Sequence, residues 1–339
     1  MTSPRKPPTM ADVARIASVS PMTVSRAFRR DTSVSETTRQ AILQVAEDLG
    51  YVFDSTASNL RSQKTGFVAV TIPSINNANF ADTVRGLSDG LQEQGLQILL
   101  GYTDDDIHAE ERLIEQLLRR RPEAIVVTGG RHTDRARRLL LNAGIPVVET
   151  WDLPDAPMNH VVGFSNAQAV QGMVHHLIAA GLTRLCFIGG DADSDSRGAD
   201  RRAGFIAAMQ AHSLDPTRLI AAGKPPSSMC EGATAMAHLL AVFPDTQAVI
   251  CSSDLSAFGA LTECQRRGIA VPTDLAIAGF GDYEIGGICV PPLTTINPFP
   301  RDIGLQSAQV ILGALSGRIA APQRVVITPE LLVRGSTGD

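Results

Sequence analysis

Residues 10–30 read MADVARIASVSPMTVSRAFRR. Two short helical patterns meet there at a tight junction, and the second is studded with Ser, Thr and Arg. Thr9 with Asp12 is a T-x-x-D capping pattern that starts the first helix. Val13, Ile16 and Ala17 share one face of it. Ser20-Pro21 is an N-cap followed by proline at the first helical position, where no N–H is needed. The spacing predicts a second helix from Pro21 to Phe28. Val24 and Ala27 or Phe28 turn inward, and Met22, Thr23, Ser25, Arg26 and Arg29 stay outside. Ser35 starts a third helix, in which Ile42, Val45, Ala46 and Leu49 form an i, i+3, i+4, i+7 stripe. Gly50 ends it as a C-cap. Three short helices with a tight first turn make a helix-turn-helix. The second helix is the right size for a DNA major groove, and its outer face carries groups for base edges and phosphates. The competing reading is a small helical cap whose Ser and Thr are only surface residues.

The whole chain has 339 residues, enough for two or three domains. Hydrophobic residues make up 44%, so a sizeable core can form, and no run approaches the length of a membrane span. The N-terminal MTSPRKPPTM has no apolar segment behind it and does not read as a secretory signal. Five scattered cysteines, none in a CxxC pair, read as reduced thiols of a cytoplasmic protein. Net charge is -5, but residues 1–62 carry 8 Lys and Arg against 6 Asp and Glu. That is a head of +2 on a body of -7, and a mildly basic head can dock on phosphates while the body stays soluble.

The segments TMADVARIASVSPMTVSRAF and VSETTRQAILQVAEDLGYVFDSTASNLRS closely resemble the DNA-binding head of the lactose-repressor (LacI) family. The resemblance implies that Pro21 and Met22 read bases. It implies phosphate contacts for Thr9, Ser20, Thr23 and Ser25, with Arg26 as the arginine after T-V-S and Arg29 a turn further on. It divides the chain into a helix-turn-helix domain at 1–53, a hinge helix at 54–65 and a two-lobed effector and dimerisation domain at 66–339. In the hinge, Leu60 matches a leucine that wedges into the minor groove and kinks the duplex, and Arg61 follows it. Phe53 stands where the family usually has proline.

From Gly66 the chain alternates apolar runs with helical stretches. GFVAVTIP, LQILLGYT, AIVVTG and IPVVET form one series, and RLCFIGG, RLIAAG, AVICSS and LAIAGF form another after Val161. Continuous apolar strands with crossover helices predict parallel sheets covered on both faces, arranged as two doubly wound lobes. The resemblance makes these lobes of the periplasmic-binding-protein type. It implies three crossings between them, a last helix near 301–315 that returns to the first lobe, and a small ligand in the cleft. Strand ends supply ligand contacts. The candidates are Asn79, Phe80, Thr128 and Trp151 in the first lobe. In the second they are Arg197, Arg201, Ser253, Asp254 and Asp282. Arg201 matches the family's R-x-x-G-F arginine.

Three departures from the family bear on the effector. G-F-D-D is GFGD, so Gly281 replaces a sugar-chelating Asp; a stacking aromatic corresponds to Ser227; and the N-D pair is Ser253-Asp254. Two arginines with one carboxylate fewer suit an anionic, acyclic sugar acid, because Arg forks fit carboxylate or phosphate. SPMTVSRAF, VVETWDLP and VVGFSN also resemble the gluconate and ketogluconate branch. The competing readings for Arg197 and Trp151 are a surface salt bridge and plain core packing. A neutral or phosphorylated effector is the alternative ligand, and a sugar-binding protein without a DNA role the alternative function.

Fragments that look catalytic do not assemble into a site. Asp191, Asp193 and Asp195 have calcium-loop spacing, but Ser196 and Arg202 stand where Gly and Glu are required. GFSNA is one residue short of a nucleophile elbow. Ser3 of SPRK, paired with KTG at Lys64, lies in a tail. Asp104, Asp105 and Asp106 read as a solvated loop. No metal, cofactor or catalysis is expected. The sequence reads as a cytoplasmic, nucleoid-associated transcriptional repressor that binds palindromic operator DNA as a homodimer. The chain ends in LLVRGSTGD without a leucine heptad tail, so a dimer is expected, not a tail-built tetramer.

Overall fold

A computed structural model describes residues 6–29, 33–53, 65–191, 195–223 and 228–338. The chain forms two compact units, Met1–Thr65 and Gly66–Asp339. The head contains α1 (Met10–Ile16), α2 (Pro21–Phe28) and α3 (Glu36–Leu49). Each begins at a side-chain cap. Thr9 and Asp12 cap each other reciprocally, Ser20 accepts from the Thr23 N–H, and Ser35 accepts from the Thr38 N–H. Gly50 closes α3 with φ of 66°. Val13, Ala14, Val24, Ala27, Ile42 and Ala46 are the buried centre. Arg39 donates from Nε to the Ala27 carbonyl at 3.1 Å, serving an acceptor that the end of α2 leaves open. Phe53 stacks on Phe28 at 4.9 Å between ring centroids, so the residue that departs from the family proline packs against the end of α2.

The body holds two parallel sheets. The first contains β1 (Phe67–Ile72), β2 (Gln97–Tyr102), β3 (Ala124–Thr128), β4 (Val147–Thr150), β5 (His160–Gly163) and, from much later in the chain, β11 (Arg324–Val326). Its order is β11-β5-β4-β3-β1-β2. Helices α4 (Ala78–Gln92), α5 (Ile107–Leu118) and α6 (Asp134–Leu141) cover it, joined by α12 (Pro300–Leu315). The late helix α12 packs on α4, returning to this lobe. Gly86 and Gly304 permit the close approach. A Cβ on Gly86 would strike the Arg301 carbonyl, and one on Gly304 would strike the backbone of Thr83.

The second sheet has the order β7-β6-β8-β9, from β6 (Leu185–Ile188), β7 (Leu219–Ile220), β8 (Ala248–Cys251) and β9 (Ala276–Ala278). Its helices are α7 (Asn166–Ala179), α8 (Ser196–Ala211), α9 (Met229–Val242) and α10 (Asp254–Arg266), with a short α11 (Glu284–Ile288). Strands β3, β6 and β8 are buried nearly end to end, as two-sided covering requires. The chain passes between the lobes three times: after β5, between β9 and β10 (Thr295–Asn297), and between β11 and β12 (Glu330–Leu332). β10 and β12 pair antiparallel. The final segment is fastened to the second lobe where the Ile277 N–H donates to the Ser336 carbonyl. No helix among the described residues is long and apolar enough to cross a membrane.

One buried charge cluster stiffens the first lobe. His132, in the loop after β3, bonds Glu110 of α5 through Nδ1 at 2.8 Å. Its Nε2 faces Glu149 of β4 at 3.7 Å. Glu149 also accepts from the Met158 N–H at 2.6 Å. Burial alone would depress this imidazolium, but the hydrogen bond to Glu110 and the charges of Glu110 and Glu149 outweigh burial and raise its pKa to about 9. The folded pKa therefore lies above the unfolded value. The stabilisation is complete below the ordinary imidazole value of 6.5 and is lost as pH rises through about 9. Denaturant titrations of the wild type are expected to lose on the order of 3 kcal/mol across that window. A His132→Gln variant is expected to be less stable at pH 6 and nearly flat over the same range. A parallel slope in the two proteins would contradict the assignment.

Candidate functional site

Two regions gather the residues that chemistry could use. The first is the outer face of α2. Pro21 and Met22 are exposed at its N-terminal end, and Met22 is 61% accessible although it is a large apolar side chain. Arg26 and Arg29 are also exposed, and neither makes an ion pair with another described residue. Ser25 is half-buried. Thr9, Ser20 and Thr23 are partly committed to the caps, since Thr9 Oγ1 donates to Asp12 at 2.7 Å and the Ser20 and Thr23 hydroxyls lie 2.9 Å apart. The face thus combines an exposed helix start, capped by Ser20, with two guanidinium groups that no described carboxylate pairs. Leu60 and Arg61, with the rest of the hinge segment, lie outside the described residues, as do Ser3, Lys64, Asp193 and Ser227.

The second region is a cleft of about 260 Å³ inside the body, lined from both lobes. Asn79, Phe80 and Trp151 line it from the first lobe, and Arg197, Arg201 and Ser253 from the second. Arg201 comes from the second turn of α8. Its Nε donates to Asn166 Oδ1 at 2.9 Å and its Nη1 to the Ser252 carbonyl at 2.8 Å. The guanidinium lies flat over the Phe280 ring at 3.6 Å. Both acceptors are neutral, and no described carboxylate pairs with this side chain. Burial lowers its pKa to about 10, with Asp195 opposing that effect, so it stays cationic at neutral pH. A cation drawn out of water and not directly ion-paired is costly, and a bound anion would offset that cost.

Trp151 is held in a left-handed backbone conformation, φ 69°, which bulky residues rarely adopt. Its surroundings determine it fully. The indole Nε1 donates to Thr83 Oγ1 at 3.1 Å, and Asn166 Nδ2 donates to the Trp151 carbonyl at 3.0 Å. Phe80 and Phe164 meet its ring edge-on at 5.2 and 5.9 Å. Trp151 is therefore at once core packing and cleft wall.

Three expected contacts are elsewhere. Thr128 donates its hydroxyl to the Thr71 carbonyl at 2.9 Å and does not line the cleft. Asp254 is fully buried beneath it, accepting from the Tyr283 N–H at 2.8 Å and from Thr295 Oγ1 at 2.6 Å. Burial raises its pKa to about 6 against those hydrogen bonds. Asp282 is tied to Arg334 at 2.6 Å and accepts from Asn297 at 3.0 Å. These two carboxylates brace the second crossing. The Asp104–Asp106 run also needs correction, because Asp105 is not solvated. It is buried and bonds Arg197 Nη2 at 2.9 Å. Arg197 is thus in a salt bridge, but one within the cleft and not on the surface.

Sequence reasoning missed Ser74, Asn76, Asn77, Asp105, Asp195, Ser228 and Tyr283, which also line the cleft. The run Asn76-Asn77-Ala78-Asn79 between strand and helix was a usable signal for the asparagines. Tyr283, directly after GFGD, was another. Nothing local pointed to Asp105. Among the described residues no His, Cys, Asp and Glu cluster could hold a metal ion. The cleft offers hydrogen-bond donors, one uncompensated cation and aromatic walls.

Comparison with known proteins places both regions. Residues 9–54 match the model described as bacterial regulatory proteins, lacI family, and residues 174–337 match a periplasmic binding protein-like domain. The chain is 37% identical over 331 residues to HTH-type transcriptional regulator GntR of Pseudomonas aeruginosa, covering 97% of this chain and 96% of that protein. A crystal structure of a LacI family transcriptional regulator from Silicibacter pomeroyi is 41% identical, with a TM-score of 0.76 over 80% of this chain and 98% of that one. A second LacI family structure from the same organism has a TM-score of 0.91 and 30% identity over 98% and 100% of the two chains.

Asp254 gives the direct test of this geometry. Asp254→Ala leaves the Tyr283 N–H and Thr295 hydroxyl without their acceptor. Thermal unfolding is expected to lose on the order of 2–4 kcal/mol of stability, the scale of orphaned buried donors. An unchanged melting temperature would return Asp254 to the list of ligand groups.

Proposed function

Because the chain belongs to the lacI family of bacterial regulatory proteins and is a DNA-binding transcriptional regulator, we propose that it is a repressor whose operator affinity is set by a sugar acid, gluconate-like, held in the body cleft. The observation that carries the effector reading is Arg201, a half-buried guanidinium with two neutral acceptors and no ion pair to a described carboxylate. A carboxylate ligand supplies the missing charge, and the amides of Asn77 and Asn79 with the Tyr283 phenol suit an acyclic chain of hydroxyls. Arg201 takes the acid group in this reading. Arg197, already paired with Asp105, contributes less than the two-arginine argument assumes.

On DNA, Pro21 and Met22 choose bases, while Arg26, Arg29, Thr9, Ser20, Thr23 and Ser25 fix the helix on phosphates. Leu60 and Arg61 complete the interface in the minor groove. A two-fold operator requires a homodimer. Its support is the apolar surface left on the body: Leu100 and Tyr102 on the edge strand β2, Ile288 at the end of α11 and Val290 just after it. Analytical ultracentrifugation giving a monomer at operator-binding concentrations would remove the palindrome from this reading.

Arg26→Ala is expected to weaken binding to every sequence and to lower the slope of affinity against salt. Met22 variants are expected to change the half-site recovered in a binding-site selection. Recovery of the wild-type half-site by all of them would sink the base-reading role.

Calorimetry is expected to detect gluconate and to find neutral hexoses far weaker. Arg201→Met should weaken gluconate by roughly 10- to 100-fold, the scale of a charge-assisted contact, and leave DNA binding intact. Equal affinity for glucose and gluconate would overturn the acid while leaving the DNA-binding regulator in place. Tighter binding of a sugar phosphate would replace it.

A further inference from the structure

We propose that Asp105 is a positioning residue that clamps Arg197 across the cleft and thereby holds the ligand-free lobes closed. The two side chains come from opposite lobes and lie 92 residues apart in sequence. Asp105 follows β2 of the first lobe, and Arg197 lies in the first turn of α8 in the second. Arg197 Nη2 donates to Asp105 Oδ1 at 2.9 Å. The side chains are only 10% and 9% accessible. The Arg197 guanidinium also sits over the Phe80 ring of the first lobe, 5.3 Å from its centroid. One turn further along α8, Asp200 reaches back to Arg131 in the loop after β3 at 2.6 Å. That second pair is largely exposed on the arginine side, and exposed pairs contribute little. The inner pair is the one that counts.

Burial makes the inner pair conditional. A buried carboxylate or guanidinium is tolerated only beside its partner, and removing one leaves the other as an uncompensated charge. Burial already disfavours the Asp105 carboxylate, Arg197 offsets part of this, and the nearby Asp195 and Asp104 charges add to the burden. In a two-lobed body an orphaned Arg197 has an escape other than unfolding. The lobes part and water enters. Asp105 thus sets how much of the ligand-free population is closed. A ligand that binds the closed form gains or loses apparent affinity with that fraction. This last consequence rests on the effector reading above, but the clamp itself does not.

The protein carries its own reporter. Its single tryptophan, Trp151, lines the cleft and is 2% accessible. In ligand-free full-length protein, Asp105→Asn keeps the shape and removes the charge. It is expected to shift Trp151 emission to the red and to raise acrylamide quenching, with Asp105→Ala showing more of the same. Circular dichroism separates opening from unfolding, since opening leaves the helical signal unchanged. Arg197→Asp alone is expected to open the cleft as well. Combined with Asp105→Arg, which restores an opposite-charge pair in reversed sense, it is expected to close it again. A bulky buried residue with a merely structural role would not be rescued by that exchange. Asp105→Asn quenched no more than wild type would overturn the proposal, as would a charge-reversed double variant no better shielded than either single one. Gluconate failing to bind wild-type protein would count against the effector reading alone, because the quenching comparison uses no ligand.

Discussion

A single guanidinium organises the cleft. Arg201 is half-buried in the cleft wall without an ion pair to a described carboxylate, and four separate stretches of chain converge to hold it. Helix α8 carries it, Asn166 at the start of α7 takes its Nε, the Ser252 carbonyl at the end of β8 takes its Nη1, and Phe280 at the second crossing supplies a flat ring beneath it. None of these partners is charged. The packing therefore fixes the orientation of the fork without neutralising it, and the remaining electrostatic demand points into the cleft. A surface arginine needs no such provision, and a core arginine would have been given a carboxylate. Keeping the charge open while holding the geometry rigid is the arrangement that an anion-binding site requires.

Asn166 extends that constraint to the other lobe. Its Oδ1 accepts from Arg201 and its Nδ2 donates to the Trp151 carbonyl, so one amide serves both a cation of the second lobe and a strained aromatic of the first. It stands where the chain first crosses between lobes. Trp151 in turn rests on Thr83 of α4, the helix against which α12 packs. Buried polar networks of this kind are stiff when every member is satisfied. In the proposed effector reading, a ligand at Arg201 would act through Asn166, which is bonded directly to the first lobe's wall, without passing through loose packing. The clamp between Asp105 and Arg197 is a second link across the same gap, four residues earlier on α8. Positions 197, 200 and 201 share one face of that helix, as spacings of three and four require, and all three face the cleft or the opposite lobe.

How much of this was legible depends on how local the signal was. The head was readable almost residue by residue, because caps, proline at N1 and a glycine stop are written within a few positions of the structure they cause. Thr9, Ser20, Ser35 and Gly50 all do in the fold what their sequence context predicts. The eight long apolar runs became strands. β5, β10, β11 and β12 were not foreseen, since no long apolar run surrounds them, and β11 joins a sheet whose other strands lie well over a hundred residues earlier. In the cleft, the rule that ligands meet strand ends found six lining residues but misplaced Thr128, Asp254 and Asp282. The rule locates a strand end and says nothing of which way a side chain turns. Asp254 turns under the cleft to meet Thr295, and Asp282 turns away to Arg334. Asp105 was misread for the opposite reason. Three consecutive aspartates look solvated until a partner distant in sequence is placed beside the middle one.

The glycine at 281 gains a physical meaning from the same comparison. Its φ is 131°, and a Cβ there would lie 2.6 Å from the Tyr283 ring and 2.9 Å from Asn79 Nδ2. The position is thus not an Asp site that has merely lost its side chain. The Tyr283 ring and the Asn79 amide crowd the volume that an aspartate would enter, and both would have to move to admit one. The substitution changes the character of that wall as well as its shape. An aspartate offers acceptors and a negative charge, which suits a ligand rich in hydroxyl donors. A phenol and an amide carry no charge and add donors that an aspartate lacks, while still accepting. Burial pushes the Tyr283 hydroxyl further from ionisation, so it remains a donor at any physiological pH. In the proposed effector reading, such a wall beside the Arg201 guanidinium favours a ligand with concentrated acceptor oxygens, as a carboxylate has, over a neutral pyranose. The glycine and the arginine would then be two parts of one specificity, and each makes better physical sense in the presence of the other.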